Sequence, residues 1–576
     1  MRTWLMVLLA GCAPVTEAPE CAGGLDENDD GVCDHDVADW SAGATVPAGT
    51  SRANVFNLAD DDLARVRDEG LMAAMVWPVD VSGVLLPYNA MARLLDPDST
   101  EPATQAMVAT ARSLLGWGSL PEMYDWVGLP PLPGPDATGI FRVPLPEGMG
   151  EGDAMGAGIV DTEFGPGLTF SCAACHASRF FGHTVVGLTN RRARANVFFH
   201  QGQDLFPGIT DEFFQAAADA DAGEMALFRR AKDNLPAIGA RDPQVIGLDT
   251  SLAQVALSLS RRSDDAYATR SPELEADPRP NELDTLVVDS KPAVWWSVKY
   301  KTRWLSDGSV VAGNPIFTNF LWNEVGRGTD LHELETWLQD NQRAVDALTA
   351  AVFATPAPSW TDFFPADTLD VEAAQRGEVT FNELCASCHG TYEKGWSADN
   401  AGELDAAGLV ATTRVVYHEQ TPVYDVGTDG QRALGMRAFA DGLNGLAISA
   451  STGTVIELQD GYVPPPLEAI FSRYPYLHNN AVPSLCELLT PAAERAPEFW
   501  MGPTEDAATD FDPDCVGYPI GEATPASWKD DPEAHFDTTQ PGLRNTGHDA
   551  WLLDEAGQPV LDEAGRHDLI AYLKTL

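Results

Sequence analysis

Residues 172–176 read CAACH and residues 385–389 read CASCH. In both stretches two cysteines stand three apart, and a histidine follows the second at once. Attachment of a c-type haem needs this arrangement. Two sulfurs on one helical turn reach the two vinyl groups of the porphyrin, and the next residue then lies beneath the ring with its imidazole facing iron. Cys172 and Cys175, with Cys385 and Cys388, are therefore expected to carry two covalent haem c groups, with His176 and His389 as proximal iron ligands. The chain has only nine cysteines and eleven histidines in 576 residues. One CxxCH by chance is expected on the order of 0.003 times in such a chain, so two can be set aside as accident. Zinc is the competing reading, because CxxC pairs also bind it. The histidine adjoining each pair, and the exported character argued below, favour haem.

Whether each iron is closed or open depends on a sixth ligand. Iron with two strong protein ligands shuttles electrons, whereas iron with a vacant face binds O2 or peroxide. The candidates are His183, His200, His332, His418, His478, His535, His548 and His567, with Met436 and Met501. Taken singly, each is more readily read as a surface or core side chain. His183 follows His176 by only a few residues, an awkward position from which to reach across the ring.

The elements that must hold these groups read as helices joined by long loops. "DDDLARVRDEGLMAAMV" and "ATQAMVATARSLLGW" carry apolar residues at helical spacing, and "LPPLPGPDATG" is a loop by its Pro and Gly content. Leu369, Ala373, Gly377, Phe381 and Leu384 recur every three or four residues, a helix face that leads into the second CxxCH. "GRHDLIAYLKTL" closes the chain as an amphipathic helix. The expected fold is mainly α, with a few short strands. It comprises an N-terminal haem domain over residues 51–365 and a C-terminal cytochrome c domain over residues 366–576.

The start of the chain, "MRTWLMVLLAGCAP", has one positive charge and a short apolar run too brief to span a bilayer, as a secretion signal has. "LAGC" resembles a bacterial lipobox, which makes residues 1–11 a signal peptide and Cys12 a lipid-modified residue; a plain signal peptide cut elsewhere is the alternative. Residues 12–50 read as an acidic tether. Within it Asp26, Asn28 and Asp30 alternate before Gly31, oxygen ligands at a spacing that can wrap Ca2+. That stretch resembles a thrombospondin type 3 loop, and a merely solvated tether accounts for it equally well. In an oxidising compartment the remaining cysteines suggest two local disulfides, Cys21–Cys33 and Cys486–Cys515. A net charge of −50 repels phosphate backbones and argues against nucleic acid as a partner.

The C-terminal third carries a family likeness. "PYLHNNAVPSLCELL", "GLRNTGHDAW" and "HDLIAYLKTL" resemble blocks of the bacterial dihaem oxidoreductases, with the rubber oxygenase-like branch ahead of the dihaem cytochrome c peroxidases. "KPAVWWSVKYKTRWLSDGS" resembles that branch's aromatic stretch. The resemblance implies that His548 is the second ligand of the C-terminal haem, that His478 stands behind the ligands, and that Trp296 of the Trp295–Trp296 pair is the inter-haem aromatic. It also implies an N-terminal haem with an open distal face; Val310, Val311 and Phe317 lie where that branch has a distal phenylalanine, without a clear match. Asn480 and Ala481 replace the family's glycine and serine. The activity implied is O2 chemistry on an apolar, unsaturated substrate, with the bis-histidine haem in electron transfer. Reduction of H2O2 with electrons from a donor cytochrome, and electron transfer without catalysis, are the alternatives. The location expected is the periplasm or cell surface. Ala13, where an inner-membrane retention aspartate can stand, favours a lipoprotein of the outer membrane. Replacing Cys12 by Ser should move the protein from the membrane to the soluble fraction on cell fractionation.

Overall fold

The computed structural model describes residues 38–150 and 152–576. Cys12, Cys21, Cys33, Asp26, Asn28 and Asp30 lie outside the described residues. Helices with long irregular connections dominate, accompanied by small antiparallel sheets and no barrel among the described residues. This agrees with the mainly helical class read from the sequence.

Helix Val371–Leu384 starts at Asp370, whose carboxylate accepts a hydrogen bond from Ala373 N, and buries Ala373, Ala374, Gly377 and Phe381. It crosses helix Glu563–Lys574 so closely that a Cβ on Gly377 would lie 2.0 Å from the Asp568 carbonyl oxygen. Phe381 packs on Tyr572 at 5.2 Å, and Arg376 holds Asp568 through two hydrogen bonds. The crossing fixes the end of the first helix, and Cys385 follows it directly. Helix Asp60–Val76 packs in a similar way on Gln342–Ala354.

Each CxxCH forms one helical turn, Ala173–His176 and Ala386–His389, and each is followed by a hairpin. Ala177–Phe180 pairs with His183–Val186, and Thr391–Lys394 pairs with Thr412–Val416. The two halves of the chain are therefore built alike around their cysteines. A third core, from Val84 to Ile238, belongs to the N-terminal half alone, but two others cross between the halves. One core joins Leu252, Trp295 and Phe320 to Met436, Leu443 and Ile456. The other joins Phe180, Ile246 and Trp296 to Phe381, Phe471 and Tyr572. The boundary at residue 365 is a change of local pattern, and the packing crosses it twice.

Residues 38–50 correct the expected tether, for this part of it is packed. Ala44 and Val46 are buried. Gly313 N donates to Trp40 O, Val46 N to Glu419 O and Arg52 N to Lys299 O, each at 2.8 Å. The Trp40 ring lies 6.1 Å from Trp304 and 5.4 Å from Phe353, with the Arg52 guanidinium over both indoles. A few widely spaced anchors do the packing, which a composition rich in small residues conceals. Among the described residues no helix is long and apolar enough to cross a membrane.

Gly377→Ala tests the crossing. Overpacking of this kind costs about 1–3 kcal/mol. The variant should melt below wild type, while Val379→Ala, at a side chain that is 60% exposed on the same helix, should melt with it.

Candidate haem sites

The turn at each motif is closed by its own backbone: His176 N donates to Cys172 O, and His389 N to Cys385 O, both at 3.0 Å. Cysteines and histidine are thereby set on one turn, as thioether attachment requires. All four cysteines are free thiols. Burial pushes Cys172 up to about 11 and both Cys175 and Cys385 up to about 12, so these sulfurs are protonated at neutral pH. Among the described residues no three His, Cys, Asp or Glu side chains converge as a zinc site would need.

The two proximal histidines are held in the same way. His176 Nδ1 donates to the Ala293 carbonyl at 2.9 Å, and His389 Nδ1 donates to the Pro465 carbonyl at 2.8 Å. A carbonyl can only accept, so each Nδ1 carries the proton and each Nε2 keeps a bare lone pair. This is the second bond that orients metal-bound imidazoles. Burial pushes both rings down to about 4, which leaves them neutral and fit for ligation at neutral pH. Their accessible surface belongs to a cavity wall, not to the outer surface.

That cavity has a volume of about 1040 Å³, and both CxxCH motifs and His548 line it. Sites for one drug-sized ligand run to roughly 300–1,000 Å³, so the space exceeds a typical single site. His548 enters from the loop before the last helix, with its backbone N donating to Val426 O at 2.8 Å. Its ring centre lies 6.1 Å from that of His389, and its Nδ1 has no hydrogen-bond partner. Two imidazoles on opposite sides of one metal ion, each bonded at about 2.0 Å, put their ring centres roughly 6 Å apart. His389 and His548 could hold one metal ion between them. Among the described residues His176 has no second histidine ring beside it; the ring there is Trp295, at 5.6 Å.

The other candidates are engaged elsewhere. His183 is exposed and stacks on Phe141, His332 stacks on Tyr267, and His200 and His535 pair with Asp242 and Glu498. His567 stands beside Asp568, and His418 Nε2 contacts the Cys388 carbonyl. Met436 and Met501 are fully buried and do not line the cavity. His478 does line it, stacked on Tyr462 at 3.8 Å. Of the distal candidates, Val310 lines the cavity, while Val311 and Phe317 do not. Phe170, Phe199 and Phe381 line the wall from elsewhere, while on the nearby helix Phe320 lines it, with Ile316 and Asn323 on the same face. Their i, i+4, i+7 spacing was the available signal.

Trp296 does not line the cavity. It is fully buried, and its Nε1 donates to Glu468 O at 3.0 Å. Its position is informative all the same. Three residues separate it from Ala293, the acceptor for His176, and Glu468 stands three residues from Pro465, the acceptor for His389. The Trp296 hydrogen bond thus ties together the two segments that hold the proximal histidines. Cys486 and Cys515 form a disulfide.

Comparison with known proteins places residues 461–501 within a family described as RoxA-like, cytochrome c-like. This block supplies Pro465, Glu468 and His478. Two proteins of Sinorhizobium fredii (strain NBRC 101917 / NGR234), both named only as uncharacterized, are also similar. The y4iJ protein is 40% identical over 19% of this chain and 17% of its own length. The y4iM protein is 30% identical over 37% of this chain and 50% of its own length. The chain spans half or less of these relatives. Replacing Cys385 and Cys388 together by Ala should halve the pyridine haemochrome signal of the purified protein while haem stain persists on a denaturing gel. The chain carries a RoxA-like, cytochrome c-like segment, and a domain of that kind implies haem c and an oxidoreductase class.

Proposed function

We propose that this protein is an exported dihaem oxidoreductase that activates O2 at its N-terminal haem, held by Cys172, Cys175 and His176, against an apolar, unsaturated substrate. Its C-terminal haem, between His389 and His548, passes electrons. The asymmetry of the two histidine environments carries this reading: His389 faces a second imidazole at 6.1 Å, and among the described residues His176 faces none. When bound, haem supplies small-molecule chemistry where one axial face is open and electron transfer where both are closed. The protein's part is to hold both proximal rings neutral and oriented, to close one iron with His548, and to line the cavity with apolar groups such as Trp295, Trp304 and Phe320. Trp296, hydrogen-bonded between the two segments whose carbonyls hold His176 and His389, is the candidate inter-haem conduit.

Reduction of H2O2 is the second reading, favoured by Asn323 and Lys301 at the same wall, polar groups that can assist O–O cleavage. Export and a lipid anchor at Cys12 belong to the same proposal; the Cys486–Cys515 disulfide suits an oxidising compartment. Calcium at Asp26, Asn28 and Asp30 remains a separate proposal resting on their spacing.

Carbon monoxide should bind one haem only in the reduced wild-type protein. His548→Ala should make a second haem high-spin and ligand-binding, whereas His478→Ala should leave ligation intact. Two binding sites in wild type, or none, would overturn the assignment, and none would indicate an electron carrier. Spectra taken with O2 and with H2O2 separate the oxygenase from the peroxidase.

A further inference from the structure

Acidic residues outnumber basic ones by 86 to 36 in this chain, yet the cavity wall includes Lys291, Lys301 and Arg473. Among the described residues none of the three has a carboxylate within ion-pair distance, and Glu468 acts on Arg473 only from farther off. Lys291 Nζ donates to the carbonyls of Arg473 and Pro475 at 3.1 and 2.7 Å, and Arg473 donates to the Pro466 carbonyl at 2.7 Å. Lys301 Nζ has no hydrogen bond to protein, and the side chain is buried. Arg473 lies close enough to repel both lysines, and burial with that repulsion pushes Lys301 down to about 7. Unpaired cations in such a setting cost several kcal/mol each unless an anion meets them. With carboxylates so abundant, the absence of a partner at all three marks a place made for an anion from outside the chain.

Their position in sequence identifies the anion. Lys291 and Lys301 flank the segment whose Ala293 carbonyl holds His176, and Arg473 follows the segment whose Pro465 carbonyl holds His389. Arg473 acts electrostatically on His389 as well as on both lysines. The cations therefore sit at the seam between the two proximal histidines, on the same two segments. Resting on the dihaem reading above, we propose that Lys291, Lys301 and Arg473 form an internal cradle for haem propionates, which turns the carboxylates of the two haems toward a shared patch of positive charge. Carboxylates held there are paired inside the protein, and the cations offset the negative charge that reduction adds at iron.

The test uses the full-length holoprotein. Lys301→Met and Arg473→Met should keep two haems per chain by pyridine haemochrome, lower at least one reduction potential in a redox titration, and shift the propionate bending bands in resonance Raman. Lys301→Arg, which restores the charge, should return both toward wild type. Arg376→Met, at an exposed pair remote from the cavity, should change neither. Potentials and Raman bands unchanged in Lys301→Met and Arg473→Met would overturn the cradle. So would a potential that follows added acetate with no Raman change, which would assign the cluster to a free carboxylate. Absence of haem from the wild-type protein would instead overturn the dihaem reading, so the two failures are distinguishable.

Discussion

An imidazole presents one nitrogen to a metal reliably only when its other nitrogen is held. In this protein that hold is a backbone carbonyl, Ala293 O for His176 and Pro465 O for His389. Both carbonyls lie far along the chain from the histidines they serve. The segments that bear them must pass behind the two proximal faces, and much of the architecture follows from that. Two of the cores draw on both halves, because residues 291–305 and 461–478 bring the two carbonyls to their histidines. Trp296 then becomes a tie between the segments, buried away from the cavity. Hydrogen bonds to backbone carbonyls in a dry interior also give the rings more electron density, a lever on reduction potential that needs no extra side chain.

The difference between the two sites comes from a single loop. Residues 547–549 bring His548 to His389, supported by the Val426 carbonyl, whereas the ring beside His176 among the described residues is Trp295. Around His176 the chain has instead invested in aromatic and aliphatic wall, with helix Pro315–Gly326 contributing Ile316 and Phe320. A haem held at His176 would lie beside apolar wall and one held at His389 beside a second imidazole, the division that the proposed function calls for.

Local chemistry was legible in the sequence, and long-range placement was not. The CxxCH turns and helices Asp60–Val76, Val371–Leu384 and Glu563–Lys574 follow from spacing over a few residues, and the structure has them where the patterns lie. Trp295 and Trp296 show the limit. Adjacent in sequence and identical in type, they join different cores, and nothing local says which faces the cavity. The packing of residues 38–50 was missed because Trp40 finds its partners at Trp304 and Phe353, hundreds of residues away. Lys301 read as an ordinary basic residue in an aromatic stretch; its significance depends on Arg473, which only the fold brings near.

The single cavity shared by both motifs bears on how the molecule is made. A third core, from Val84 to Ile238, lies wholly before residue 365, so the N-terminal half can begin to pack by itself. The cavity wall draws on both sides of that position, from Trp77 to Leu573. Its shape is therefore a late product of folding, complete only when both CxxCH turns are in place.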